Sequence, residues 1–162
     1  MTKTLIRSSI LFAAATVLTV SAASAAGPFQ FFSVTPCRLA DTRDTVGPQF
    51  TIGPALQSNV VRNLAVYGAN ARNCGISTSA KAVALNVTVV TPNNFGYLTA
   101  YPYNTSRPVV STINFNPGEP ALANGAIVPL TADSNFQLAI YPFLSGGSGS
   151  VHLVLDITGY FQ

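Results

Sequence analysis

The residues spaced most like catalytic partners are His152 and Asp156, four positions apart near the end of the chain. They fall in an alternating apolar segment that predicts a β-strand. On a strand, residues four apart share a face but stand about 13 Å from each other, too far for a direct hydrogen bond. His152 is the only histidine in the sequence, and no G-x-S-x-G elbow supplies a nucleophile. A hydrolase remains an alternative interpretation without a complete set of catalytic residues.

Carboxylates and metal ligands are also sparse. A glycosidase needs two carboxyl groups that face each other across a cleft. No spacing singles out a pair among the five acidic residues, which are Asp41, Asp44, Glu119, Asp133 and Asp156. One histidine and two cysteines without a C-x-x-C motif do not make a zinc site. We therefore predict no catalytic residue, no metal site and no cofactor, and we interpret the chain as a non-enzyme.

Several tyrosines form the best candidate for a ligand-binding site. Tyr97 and Tyr101 share one face of a predicted strand. Aromatic rings that stack on sugars, beside side chains that hydrogen-bond to hydroxyls, are what a carbohydrate-binding face uses. The structural interpretation, which we favour, is that the tyrosines cover the core and leave their hydroxyl groups at the surface. The candidate binding residues are Tyr97, Tyr101, Tyr103, Asn104 and Arg107, with Tyr141 further along the chain.

One dense cluster of charge contains Arg38, Asp41 and Arg43, with Asp44 beside them. Such a cluster on a loop could be a binding or catalytic site. The structural interpretation is that Asp41 accepts hydrogen bonds from backbone amides and pairs with an arginine, which would hold an irregular loop in place. We favour the structural interpretation.

The first 26 residues have the features of a secretory signal peptide. Lys3 and Arg7 form a positive segment, residues 10–20 form an apolar one, and small residues precede the expected cleavage site near Ala26. The apolar run is too short for a bilayer, which needs about 20 residues. We expect one mature domain, residues 27–162, without an integral membrane segment. It should be secreted to the exterior or the cell surface, or retained in the periplasm.

The expected mature chain carries little charge. Removal of Lys3 and Arg7 from eight basic residues leaves six, against five acidic residues. No basic patch remains that could bind a phosphate backbone, so we exclude nucleic acid as a partner. A surface made polar by Asn, Thr, Ser and Tyr suits contact with a polysaccharide, a cell-envelope component, a protein partner or a copy of itself.

Cys37 and Cys74 are the only two cysteines. In an exported chain, an even pair predicts a disulfide. A bridge that closes a loop of about 38 residues should stabilise the fold by roughly 3–4 kcal/mol in the chain-entropy model.

The predicted elements are all β-strands. Residues 82–90 alternate β-branched and smaller side chains, and a turn at residues 92–96 leads into a second strand that ends at Pro102. Residues 37–43 and 45–54 are predicted loops. Further strands are predicted at residues 29–35, 57–66, 109–115, 126–130, 135–142 and 151–157. About eight short strands between turn signals favour a single-domain antiparallel β-sandwich, jelly-roll-like or Greek key, with one disulfide.

Two segments form a weak internal repeat. Residues 94–102 (NFGYLTAYP) and 135–142 (NFQLAIYP) both run from Asn-Phe into a strand that ends in Tyr-Pro. Two such units are too few for a propeller. They are predicted to supply matching halves of the sandwich.

An ordered set of motifs resembles a bacterial secreted β-domain. The set begins with P-C-R-x-x-D-T-R at residues 36–43, continues with L-N-V-T-V at residues 85–89 and ends with G-Y-F at residues 159–161. It spans nearly all of the expected mature chain. The resemblance implies an extracellular module, found alone or joined to other surface domains. It implies no activity, so no catalytic or binding residue is carried over.

These observations favour a secreted, non-enzymatic β-sandwich module with a structural, adhesive or surface-interaction role. The main alternative is a carbohydrate-binding module that uses its surface tyrosines. A small outer-membrane barrel is another, although most strands are shorter than the about 9–11 residues that a spanning strand needs. Because few charges or prolines guard the strand edges beyond Arg62, Lys81 and Pro108, we also predict weak self-association through an edge.

Overall fold

The computed structural model describes residues 27–162, which form two antiparallel β-sheets around one core. The strands are β1 (Phe31–Asp41), β2 (Leu56–Gln57), β3 (Arg62–Leu64), β4 (Ala82–Val90), β5 (Gly96–Pro102), β6 (Ile113–Phe115), β7 (Leu122–Pro129), β8 (Leu138–Leu144) and β9 (Ser150–Phe161). The prediction of an all-β sandwich is confirmed. The described residues contain nine strands rather than about eight, because a two-residue strand, β2, pairs with the start of β9. The predicted signal peptide, residues 1–26, lies outside the described residues.

The strand order is that of a jelly roll. The first sheet runs β1-β9-β4-β7 and the second runs β3-β8-β5-β6. Four antiparallel pairs are nested along the chain: β1 with β9, β3 with β8, β4 with β7 and β5 with β6. Nested pairs of this kind describe one long hairpin rolled into two sheets, which is the jelly-roll form of the predicted sandwich.

The core lies between the sheets and is built by alternation along the strands. Val83, Leu85, Val87 and Val89 of β4 are all buried, whereas the residues between them are half-buried on the opposite face. The inward residues of β9 that the sequence predicts, Val151, Leu153, Leu155 and Ile157, are also buried. Each buried aliphatic side chain of this size contributes about 1.5–3 kcal/mol relative to an exposed one. The period of two therefore predicted the central strands correctly.

The first strand is longer than predicted. The sequence predicted that Pro36 ends a strand and that residues 37–43 form a loop. Instead β1 continues to Asp41 with register shifts between Ser33 and Cys37 and between Arg38 and Ala40. Because β1 is at the edge of its sheet and pairs with β9 alone, an irregularity there can accommodate a residue that has no N–H to donate.

Two other predicted strands are shorter in the structure. The predicted strand at residues 57–66 is interrupted by Asn59, whose positive φ of 63° turns the chain between β2 and β3. The predicted strand at residues 109–115 is reduced to β6, and Val109 and Val110 are exposed in the segment before it. Alternating residue types were therefore not sufficient to give a regular strand along the whole of either segment.

The two copies of the internal repeat are neighbours rather than matching halves. They correspond largely to β5 and β8, which pair directly in the second sheet, with Tyr97 opposite Phe143 and Thr99 opposite Tyr141. The prediction of one copy per half was wrong. The pairing instead places Tyr97 and Tyr101 of one copy and Tyr141 of the other on one face of the same sheet.

The predicted disulfide joins Cys37 to Cys74, with the two Cα atoms 5.6 Å apart. It fastens the segment between β3 and β4 to β1. At the corner where the described chain begins and ends, Gln30 and Gln162 exchange two backbone hydrogen bonds of 2.9 and 3.0 Å. Across residues 27–162, no helix has the length and apolar character that crossing a membrane requires.

Candidate functional site

The outer face of the second sheet carries an aromatic group built by β5 and β8. Leu98 of β5 faces the core and is fully buried, so its neighbour Tyr97 faces outward. The register of the strands then places Tyr141 and Phe143 of β8 beside Tyr97. Gly96 permits this close approach, because a Cβ atom there would overlap the carbonyl oxygen of Phe143. We call Tyr97, Tyr141, Phe143 and Arg107 the aromatic face.

The rings of the aromatic face contact one another closely. The Tyr97 and Phe143 ring centroids are 5.1 Å apart and nearly parallel, at 23°. Tyr97 and Tyr141 are 6.4 Å apart and tilted by 45°. The hydroxyl of Tyr141 donates a 2.6 Å hydrogen bond to the side-chain oxygen of Asn59. Packing on both sides and this hydrogen bond fix the rings before any ligand arrives.

Arg107 covers one of these rings. Its guanidinium carbon lies 4.0 Å from the centroid of the Tyr141 ring, which is the geometry of a cation–π contact. This contact anchors the segment between β5 and β6, residues 103–112, over the sheet. It also occupies one face of Tyr141, so Tyr97 is the ring beside the adjoining cavity.

The cavity has a volume of about 270 Å³. That is slightly below the usual range of about 300–1,000 Å³ for small-molecule sites, so it fits a single ring rather than an extended chain. Its walls combine an aromatic ring, a guanidinium, aliphatic groups, a hydroxyl and an amide. The lining residues are Tyr97, Arg107, Val109, Val110, Ser111 and Asn114.

The other predicted binding residues lie elsewhere. Tyr101 shares the outer face with Tyr97, as predicted, but it is only 7% exposed and does not line the cavity. Tyr103 packs its ring against Phe136 at 5.3 Å. Asn104 is exposed in a left-handed turn with φ of 57°. The structure therefore brings Tyr97 and Arg107 together and separates the remaining three.

Part of the segment between β5 and β6 lies alongside β5 and lines a groove together with Tyr101. The hydroxyl of Thr99 donates to the carbonyl of Val110 at 2.6 Å, and the amide of Ala100 donates to the hydroxyl of Thr112 at 2.8 Å. These bonds hold the end of the segment against β5. Residues 109–112 thus take the position of a neighbouring strand without forming a regular one.

The charge cluster is held by contacts within the chain. Asp41 accepts hydrogen bonds from the backbone amide and the guanidinium of Arg43, at 3.0, 2.8 and 2.6 Å, and one from Arg38 at 2.9 Å. Arg38 also binds Asp156 on the neighbouring strand β9. The guanidinium of Arg43 holds the pKa of the buried Asp41 carboxyl well below its ordinary value. These contacts join the end of β1 to β9.

His152 has a partner that the sequence did not indicate. Its Nδ1 atom lies 3.0 Å from the hydroxyl oxygen of Thr42, and that oxygen also accepts the backbone N–H of Leu153 at 2.8 Å. Thr42 is 3% exposed, so its hydroxyl links β1 to β9 rather than facing solvent. The two residues are 110 positions apart, and no local pattern could have paired them.

Within residues 27–162, no three His, Cys, Asp or Glu side chains are placed to hold a metal ion. The two cysteines are joined to each other.

No protein-family model matches the chain, and no curated protein matches it in sequence.

Proposed function

We propose that this chain is a secreted, non-enzymatic interaction module that works by adhesion to a surface component. The disulfide is consistent with an oxidising compartment, and the sequence of the first 26 residues supports export. The resemblance to a bacterial secreted β-domain supports an extracellular module. The observation that carries the proposal is the aromatic face, which presents a fixed ring and a cation beside an open cavity.

The ligand class that this site fits best is carbohydrate. Tyr97 supplies a ring for stacking, and its position is already fixed by Phe143. Arg107, Ser111 and Asn114 supply hydrogen-bonding groups around the same cavity. Sugar rings have apolar faces and polar edges, and this combination of groups matches both. The small volume indicates recognition of one residue of a polysaccharide, with the rest of the polymer outside.

The proposal is tested by binding of the purified, oxidised chain to a panel of polysaccharides and cell-envelope fractions. Replacing Tyr97 with Ala should weaken binding about tenfold or more, since an aromatic contact is worth about 0.5–1.5 kcal/mol beyond its buried area. Tyr103→Ala is the matched control, because it also removes a tyrosine ring from this part of the chain but lies outside the cavity. Equal loss in both variants, or no binding by the folded chain, would reject the carbohydrate assignment.

Arg107→Lys separates the role of the stacked guanidinium from that of charge. Lysine keeps the positive charge but loses the planar group that lies on Tyr141. We expect weaker binding with unchanged stability of the core.

If a protein from the envelope fraction binds in place of a polysaccharide and depends on Tyr97, the module is adhesive but its ligand is a protein.

A further inference from the structure

Strand β7 leaves one long edge of the sandwich unpaired. It is the last strand of the first sheet and forms a ladder only with β4. Of its eight residues, six are exposed, including Leu122 at 37% and Ile127 at 65%. The backbone groups on the outer side of such a strand are available for another strand.

A groove follows this edge. It has a volume of about 470 Å³ and lies between β7 and the segment that connects β5 to β6. Ala126 and Val128 line one side, Val110 and Ser111 line the other, and Tyr101 also contributes. A strand laid along β7 would continue the sheet and direct alternate side chains into this groove.

The other edges of the described sandwich are protected. β1 contains Pro36 and register shifts, and the disulfide holds the chain around Cys74 beside it. β3 and β6 have three residues each. Prolines, irregular pairing and short length are the ordinary means by which sheet edges avoid pairing with other chains. Among the strands of residues 27–162, β7 is the edge strand that is long and regular, with its proline, Pro129, at the very end, so association through it would give a closed pair rather than a fibre.

The charge pattern indicates which strand fits this edge. No charged residue occurs between Glu119 and Asp133, a stretch that includes all of β7. In a two-fold antiparallel pair, the residue at the axis lies opposite itself, and every other residue lies opposite the one equally far on the other side of the axis. A single charge at the centre of the strand would therefore face its own copy and repel it, and β7 carries none. Gly125, near the middle of β7, has no side chain to hold two copies apart.

We propose that β7 pairs with β7 of a second copy, antiparallel and about a two-fold axis near Gly125. The first sheets of the two copies then form one continuous sheet. This pairing goes beyond the proposed binding function, because the paired strand belongs to the opposite sheet and contains none of the aromatic face. Val110 and Ser111 line both the groove and the cavity beside Tyr97, so the two surfaces adjoin.

Sedimentation velocity of the full purified chain at increasing concentration tests the proposal. The unaltered chain should form dimers and no larger species. Gly125→Lys should abolish the dimer at concentrations where the unaltered chain forms it, because two lysines would meet near the axis. The substitution is sterically tolerated, since a Cβ atom at Gly125 contacts nothing within 4 Å. Thr158→Lys, exposed on the inner strand β9 of the same sheet, is the matched control and should leave the dimer intact.

A mixture of charges identifies the partner strand. Gly125→Lys and Gly125→Glu should each be monomeric alone and form a mixed dimer when combined, because opposite charges then face each other. Recovery in the mixture is expected only if β7 meets β7. A monomer at every concentration, a dimer that persists in Gly125→Lys, or a mixture that fails to recover would overturn the proposal. If the chain stays monomeric and an uncharged extended peptide binds along β7, the occupant of this edge is a different chain, and the proposal is likewise overturned.

Discussion

Removal of the disulfide gives the most quantitative test of how this fold is stabilised. The bridge joins residues 37 positions apart, so it closes a loop of intermediate length. The chain-entropy model gives about 3 kcal/mol for a 15-residue loop and about 4.7 kcal/mol for a 100-residue loop. We therefore expect the double variant, Cys37→Ser with Cys74→Ser, to lose about 4 kcal/mol of unfolding free energy. That is a large share of the about 5–15 kcal/mol that holds a typical domain.

Urea denaturation measures this loss. The denaturation midpoint should fall, and the dependence of the free energy on urea should steepen, because an unfolded chain without the bridge exposes more surface. Cys74 is buried, so serine also places a hydroxyl in an enclosed position. Reduction of the unaltered chain removes the bridge without that change and is the control. A loss below about 1 kcal/mol under reduction would refute the argument that the bridge acts by restricting the unfolded chain.

Two further predictions concern other contacts. The pKa of Asp41 is lower in the folded chain than in the unfolded chain, so the stability that its charge contributes is present above pH about 4 and is lost as the pH falls further. In acid unfolding followed by circular dichroism, Asp41→Asn should therefore lose less stability between pH 4 and 2 than the unaltered chain. An unchanged profile would contradict this assignment. Gly96→Ala should lower the free energy of unfolding in urea by about 1–3 kcal/mol, because the added methyl group overlaps the carbonyl of Phe143 and must push β5 away from β8. Gly125→Ala is the control: its methyl group meets no neighbouring atom, so the urea midpoint should change little.

Local alternation predicted the parts of the fold that depend on neighbouring residues. The bounds of β4 agree with the sequence, because each second residue is β-branched or Leu and both flanking strands are present to pair with it. The path of β1 beyond Pro36 could not be predicted in this way. It depends on β9, more than 100 residues later, which supplies Asp156 to Arg38. The sequence alone also left the jelly roll and the Greek key unresolved, since strand order is a non-local property.

In the candidate site, too, features set by neighbouring residues were predicted, and features set by distant residues were not. Tyr97 and Tyr101 were predicted to share one face of their strand, and the structure places both on the same face of β5. Tyr101 is buried, and residues 110–112 are held against β5 by hydrogen bonds through Thr99 and Thr112. No periodicity signals the path of that segment. Arg107 joined the site through its contact with Tyr141, which lies in a different strand. Aromatic residues in the two repeat segments were the available signal, and the error was to assign the repeats to separate halves.

The backbone hydrogen bonds between Gln30 and Gln162 hold the two ends of the described chain side by side, which affects how this domain could be joined to another protein. The described chain enters and leaves the sandwich at one point, away from the free edge of β7 in the first sheet. A domain with adjacent ends can be spliced into a surface loop of another protein with short connections and little disturbance to the host. It also tolerates a circular rearrangement in which the old ends are joined and new ones are opened in a turn such as residues 145–149. The same corner thus gives the described sandwich a single point of attachment, at the edge of the first sheet opposite β7.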